Sequence, residues 1–220
     1  MIAEQGRSTC KERDVVLDEI RRLIITGIYK QGEKLTEINL CKKFSLNRNR
    51  VREILQILTQ EGFVSYTPFV GCSVSKMSPK DVIQIYDLLG TLEGLSMRIA
   101  TPLLTDSDID ALENMVHGIY IDKTPEGIFR RNRHFHQRLT EYSQNSLLIS
   151  FADLLRKHNL RISLTFFYNR NNIDTSLQRN MKIISALRTR DGIYAESVIR
   201  KHYTDARDVL IETMCCLKLE

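Results

Sequence analysis

Residues 36–74 read TEINLCKKFSLNRNRVREILQILTQEGFVSYTPFVGCSV, and this stretch decides the fold. Thr36 predicts the N-cap of a short helix carrying Ile38, Leu40, Cys41 and Phe44. A brief turn follows at Ser45-Leu46, and Asn47 caps the next helix, expected to run to about Gln60. Its apolar face is Val51, Ile54, Leu55 and Leu58, at the helical period, and Gly62 closes it. The period then changes: Phe63-Val64-Ser65-Tyr66 and Cys72-Ser73-Val74 predict two short strands, joined by a turn at Thr67-Pro68-Phe69-Val70-Gly71. Upstream, Val15, Val16, Ile20, Leu23 and Ile24 predict a helix from about Lys11 to Thr26, stopped by Gly27. Gly32 marks a turn. Helix, helix, turn, helix, hairpin is the order of a winged helix-turn-helix.

Downstream the pattern is helical throughout. Ser78-Pro79 pairs an N-cap with a first-turn proline and opens a helix to about Ala100. Thr105 caps another, with Asp106, Asp108 and Asp110 near its positive end. Thr124-Pro125-Glu126 opens a third, to about Tyr142. Residues 147–167 form one long apolar-periodic segment, and helices fit 176–190 and 193–217, broken at Asp191-Gly192. The fold class is therefore mainly α: a winged helix-turn-helix over residues 1–76, with a small β-hairpin wing, and an all-α bundle of about six helices over 77–220.

Composition fits a globular chain of this length: 220 residues, 42% hydrophobic and 27% charged. No apolar run approaches the ~18 residues that a membrane span needs. The polar start MIAEQGRSTCKERD has no signal-peptide core, so a cytoplasmic protein is expected. Cys10, Cys41, Cys72, Cys215 and Cys216 are odd in number and contain no CxxC pair, which speaks against a disulfide framework or a zinc finger and for reduced thiols.

Charge is uneven. Residues 1–76 hold 13 Lys/Arg against 9 Asp/Glu, while the remaining 144 hold 19 against 18. The positive excess thus sits where a polyanion could use it. Asn47, Arg48, Asn49, Arg50 and Arg52 crowd the start of the third helix. The N-terminal end of such a helix reaches base edges in the major groove, where arginine pairs with guanine and asparagine with adenine. Lys42 and Lys43 on the preceding helix are expected to meet phosphates. A solvated basic face is the plainer account of any one arginine; it does not account for the turn, the cluster and the hairpin together.

The segment IITGIYKQGEKLTEINLCKKFSLNRNRVREILQILTQEGFVSYTPFVGCSV (24–74) resembles the N-terminal domain of GntR-type bacterial regulators. The resemblance rests on the approach at Gly27–Glu37, the R-x-x-V-R-E core at Arg48–Glu53, L-x-x-E-G at Leu58–Gly62 and the wing glycine Gly71. It implies that Arg48 and Arg52 contact DNA, helped by Asn47, Asn49 and the wing around Gly71. One departure is Asn49-Arg50, where the family commonly has a threonine-proline or similar pair. LLGTLEGLSMRIA (88–100), NRHFHQRLTEYSQNSLL (132–148) and NMKIISALRTRDGIYAESVIRKHY (180–203) resemble the FCD effector domain of the FadR subgroup.

In that subgroup many members hold a divalent metal through four side chains, which by resemblance fall here on Asn132, His136, Asn180 and His202. Two of the four are asparagine, a neutral and weak donor, so the site around His136 and His202 is degraded for a transition metal. Leu89 stands where the subgroup usually has an arginine. The expectation is a cavity that takes a metal-independent effector; a bound divalent metal and a pair of hydrogen-bonded core histidines are the alternatives. His134 and His136 point some 200° apart on a helix and so do not share a metal easily. Phe166-Phe167-Tyr168 is expected in the core or at a dimer contact.

These readings predict a homodimer on a palindromic site in double-stranded DNA, controlled by a small molecule bound in the bundle. A constitutive DNA-binding dimer and a metal-dependent helical enzyme are the competing functions. No Ser-His-Asp framework, phosphate-cradling glycine loop or HExxH occurs, so the chain is not expected to be an enzyme.

Overall fold

Side-chain caps set the helix starts. Thr36 accepts from the Asn39 amide, Asn47 from the Arg50 amide, and Ser78 and Thr105 each form a full capping box, with Asp81 and Asp108. The structure is a computed structural model and describes residues 2–216. The chain divides into two compact units, one ending at Met77 and the other starting at Ser78.

The first unit runs α1 (Ile2–Ile25), β1 (Lys34–Leu35), α2 (Glu37–Phe44), α3 (Arg48–Gln60), β2 (Val64–Thr67) and β3 (Gly71–Val74). Its core is Ile20, Leu23, Ile24, Val51, Ile54, Leu58, Phe63 and Val74, all buried. The helical face expected for α3 is thus the inward one. On α1, Leu17 is buried while Val15 is 69% exposed, so the inward stripe lies on 17, 20 and 24. This helix also begins at Ile2 rather than Lys11, across a polar stretch with no apolar period to announce it. The hairpin gains a third strand. β1 pairs antiparallel with β3 in the sheet order β1-β3-β2, with Leu35 and Tyr66 flanking Cys72. A two-residue strand carries no alternation for sequence reasoning to detect.

The second unit holds α4 (Pro79–Ala100), α5 (Asp106–Ile119), α6 (Pro125–Glu141), α7 (Ser146–His158), α8 (Leu160–Phe167), α9 (Arg170–Arg188) and α10 (Gly192–Cys216). These are seven helices among the described residues where six were expected. Residues 147–167 are two helices, because the chain breaks at Asn159, whose φ is −85° and ψ 0°. The α9 start lies earlier than expected, capped by Asn169. Residue 217, expected to end the last helix, lies outside the described residues.

Helices α4 and α10 run antiparallel and close. A Cβ at Gly90 would stand 3.2 Å from Tyr203 Cβ, and one at Gly94 3.2 Å from Arg200 and Glu196 Cγ. Asp87–Arg207 and Arg98–Glu196 pair along the same seam. Among the described residues no helix is long and apolar enough to cross a membrane. Cys41 and Cys72 are free thiols; the side chains of Cys10, Cys215 and Cys216 lie outside the described residues.

Candidate functional site

The start of α3 presents a polar, cationic end to solvent. Asn47 Oδ1 accepts at the cap, while Arg48, Asn49 and Arg52 are exposed. Arg52 is positioned rather than loose. Its Nε donates to Glu37 Oε1 at 2.7 Å, and its side chain stays 63% exposed. That hydrogen bond holds the Glu37 carboxyl below the usual carboxylate range. With Nε fixed, the two Nη groups remain to point outward as a fork. Arg50 differs: it turns along the helix to Glu53, at 2.6 Å, which also takes Arg13 at 2.8 Å. Arg50 is therefore part of an ion-pair cluster rather than a member of the outward set. Lys42 is exposed. Lys43 leans over the Tyr29 ring and donates to its hydroxyl at 3.1 Å.

The wing lies beside this end of α3. Leu35 pairs with Cys72, so the following residues, Thr36 and Glu37, continue toward the tip end of β3. Burial and the Glu37 charge together push the Cys72 thiol up. Since Glu37 also grips Arg52, it links β3 of the wing to the start of α3. The tip is a β-turn closed by Val70 N to Thr67 O at 3.1 Å. Gly71 follows at φ 101°, a conformation that suits glycine and places it inside the wing rather than at its apex.

Three of the four bundle positions, Asn132, His136 and His202, line one cavity of about 70 Å³, and Asn180 stands behind it, hydrogen-bonded to Asn132. At ~10–15 Å³ per water centre, this is room for a few waters or a small molecule. Asn132 and His136 come from α6, Asn180 from α9 and His202 from α10. The His136 and His202 rings are 4.9 Å apart. Asn180 Nδ2 donates to Asn132 Oδ1 at 2.7 Å. Three buried polar atoms of lining residues find no partner, Asn159 Oδ1, His202 Nδ1 and Arg179 Nη1, as does Asn180 Oδ1 behind them. Each such atom costs free energy unless a ligand or water meets it. Burial keeps His202 well below the ordinary histidine value, with His136 adding to the effect, so its ring is neutral. Burial likewise lowers Arg179. Leu89, Phe129, Phe166 and Phe167 form the apolar wall. The cavity can thus hold a small ligand that brings acceptors and donors as well as apolar surface.

These residues do not fit a divalent metal. Asn132 Oδ1 is taken by Asn180 Nδ2, and an amide oxygen is a neutral, weak donor in any case. Three arginines, Arg133, Arg156 and Arg179, line the same space. No group of three His, Cys, Asp or Glu able to hold a metal occurs among the described residues. His134 is exposed on the opposite side of α6 from His136, as the helical angle requires. Phe166 and Phe167 are core, and the Tyr168 hydroxyl donates to Glu126.

A buried ion-pair network behind the cavity escaped sequence reasoning. Glu93, 1% exposed, takes His136 Nδ1 on one oxygen and Arg156 on the other, at 2.7 and 3.0 Å. Arg156 also donates to the His136 carbonyl at 2.9 Å and to Thr140. Burial alone would raise the Glu93 carboxyl; Arg156 and His136 overcome it and bring it down to about 2. The carboxylate is ionised, so His136 Nδ1 is the donor. The detectable signal was a lone charge on the inward face of α4, in register with Leu89, Met97 and Ala100.

The FCD domain family matches residues 84–205, and the family described as bacterial regulatory proteins, gntR family, matches residues 12–74. Among curated relatives, the HTH-type transcriptional regulator YdhC of Bacillus subtilis (strain 168) is 24% identical over 194 residues, covering 84% of this chain and 85% of that protein. The HTH-type transcriptional repressor RspR of Escherichia coli (strain K12) is 27% identical over 186 residues, covering 83% and 82%. Among solved structures, a GntR transcriptional regulator of Rhodococcus sp. RHA1 superposes with a TM-score of 0.65 at 20% identity, covering 92% of this chain and 98% of that one. E. coli McbR/YncC gives 0.64 at 18% identity over the same shares.

Proposed function

The chain belongs to the gntR family of bacterial regulatory proteins, with the FCD domain of the FadR subgroup, and on that premise we propose how this DNA-binding transcriptional regulator reads DNA and is controlled. Arg48, Asn49 and Arg52 enter the major groove, with Asn47 holding the helix end and Gly71 shaping the wing. Lys42 and Lys43 meet phosphates. The observation that carries this reading is the outward Arg52 fork, fixed by Glu37 at the N-terminus of α3. Arg50, held by Glu53, supports the helix rather than the bases.

The working form is a cytoplasmic homodimer. Helix α7 supports it, since Leu147, Phe151 and Leu154 stand exposed on one face at helical spacing, an apolar stripe suited to a second copy. A two-fold axis then demands a palindromic operator. Selection of bound duplexes from a random pool is expected to return a consensus with two-fold symmetry. Recovery of no consensus would sink the reading.

The effector enters the bundle cavity without a metal, beside Asn132 and His136, and bonds the atoms left unpartnered on Asn159, Arg179 and His202. It controls DNA binding only by favouring one arrangement of the dimer over another. Protein purified without chelator is expected to carry no stoichiometric zinc, nickel or manganese by elemental analysis. One metal per chain would overturn metal-independent binding. A thermal-shift screen against small metabolites separates this reading from a constitutive DNA-binding dimer, which no compound would stabilise through the cavity.

A further inference from the structure

The tip of the wing departs from the chemistry of the rest of the DNA-facing surface. Its five residues, Thr67-Pro68-Phe69-Val70-Gly71, carry no charge, so they cannot grip phosphate as Lys42 can. They expose apolar surface instead: Tyr66 is 62% exposed, Val70 57% and Phe69 108%, more than in an extended chain. Phe69 also sits in an unfavourable backbone state. The Thr67–Val70 turn has proline at its second position and a φ of +64° at its third, the pattern of a type II turn. That third position favours glycine or asparagine; a bulky aromatic there is an outlier. Folding alone gains nothing from Phe69, because its ring touches no core and its backbone would prefer glycine.

A solvent-facing aromatic held at such a cost to the turn needs something to bury it. The wing strand that carries it leads back to the DNA-reading end of α3: the Glu37 charge acts on Cys72 of β3, next to the tip, and Glu37 holds Arg52. The surrounding unit carries the positive excess of the chain, which suits a polyanion as the neighbour. A duplex offers an aromatic ring two apolar surfaces, thymine methyls in the major groove and the face of a base pair reached from the minor groove; with α3 in the major groove, the wing beside it meets the second.

We propose that Phe69 is a wedge: resting on the reading that this unit binds DNA, it enters the minor groove beside the half-site, partly unstacks one base step and bends the operator. Sequence preference then extends to a step that no polar side chain reads. Pyrimidine–purine steps such as TA and CA unstack most readily and are the expected choice at that place. Wedge side chains of this kind kink duplexes by about 20–90°.

The test uses the full chain and a duplex recovered by random-pool selection, with 2-aminopurine placed at successive flanking steps and a donor–acceptor dye pair at its ends. The wild-type protein is expected to raise 2-aminopurine fluorescence at one step per half-site and to shorten the end-to-end distance. Phe69→Gly relieves the turn while removing the ring, so it tests the wedge without harming the wing. It should bind the major-groove contacts, leave the duplex straight and lose the preference for a flexible step. Phe69→Leu should keep the bend. A wild-type complex that is straight and fully stacked overturns the proposal, as does a Phe69→Gly complex bent like the wild type. In the latter case the tip faces a protein and not a base step. Failure of the DNA-binding reading shows differently: wild-type protein would then recover no duplex at all, and the wedge falls with it.

Discussion

Replacing Glu93 with alanine is expected to lower the free energy of unfolding of the bundle by about 3–5 kcal/mol. The size follows from what is left behind. Arg156 and the His136 Nδ1–H are buried against this one carboxylate, and without it a guanidinium remains in the interior with only Asp153, Thr140 and a carbonyl for company. The attraction within the trio is largely offset by the cost of removing it from water. A Glu93→Leu/Arg156→Met double variant should therefore recover most of the loss, and urea titrations of the two singles and the double give the coupling directly. Additive losses would show that the trio is not a unit.

Acid tests the same network. The Glu93 carboxyl lies at about 2 in the fold against 4.5 ordinarily, so its contribution is complete above pH 4.5 and drains away as pH falls toward 2. Two and a half pKa units correspond to roughly 3 kcal/mol. Glu93→Gln should flatten that limb of the stability curve. A decline that already begins near pH 6.5 belongs to His202 instead, whose ring the fold keeps neutral while the unfolded chain takes a proton.

The first unit was legible because its signals are local. Caps at Thr36 and Asn47, the α3 stripe of Val51, Ile54 and Leu58, and the turn residues 67–71 each act within a few positions of where they stand in the chain. The third strand was not, since Lys34-Leu35 becomes a strand only through its partner β3. In the bundle, positions 132, 136 and 202 line one cavity and 180 stands behind it, yet what surrounds them could not be read from spacing. Glu93 and Arg156 are 63 residues apart, and each looks ordinary until the fold removes water from both. The split at Asn159 was hidden for a related reason: an apolar period continues through a break whose cause is the local backbone, not the pattern. Arg50 was grouped with its neighbours by sequence, and only the contact with Glu53 separates it from Arg48 and Arg52.

That separation sharpens the expected effect on DNA. Arg52→Ala should weaken binding to the selected duplex by roughly 5- to 150-fold, the range for loss of a bidentate base contact, and relax preference at one position. Arg48→Ala should do the same at a neighbouring position, and the double variant should approach non-specific affinity. Arg50→Ala should leave the consensus unchanged. Glu37→Gln keeps a weaker acceptor for Arg52 Nε, so it should reduce discrimination at the Arg52 position while tightening overall attraction to the polyanion, because one negative charge is gone. Lysine behaves differently in principle: Lys42→Ala should weaken all sequences alike and lower the salt slope by about 1. Lys43, already over the Tyr29 ring, should contribute less. Competition titrations at two salt concentrations, with the consensus duplex and with single-position variants, resolve these patterns. Unchanged affinity and specificity in both Arg48→Ala and Arg52→Ala would refute α3 as the reading helix, since no other outward cationic fork at its N-terminus is then left to carry the sequence.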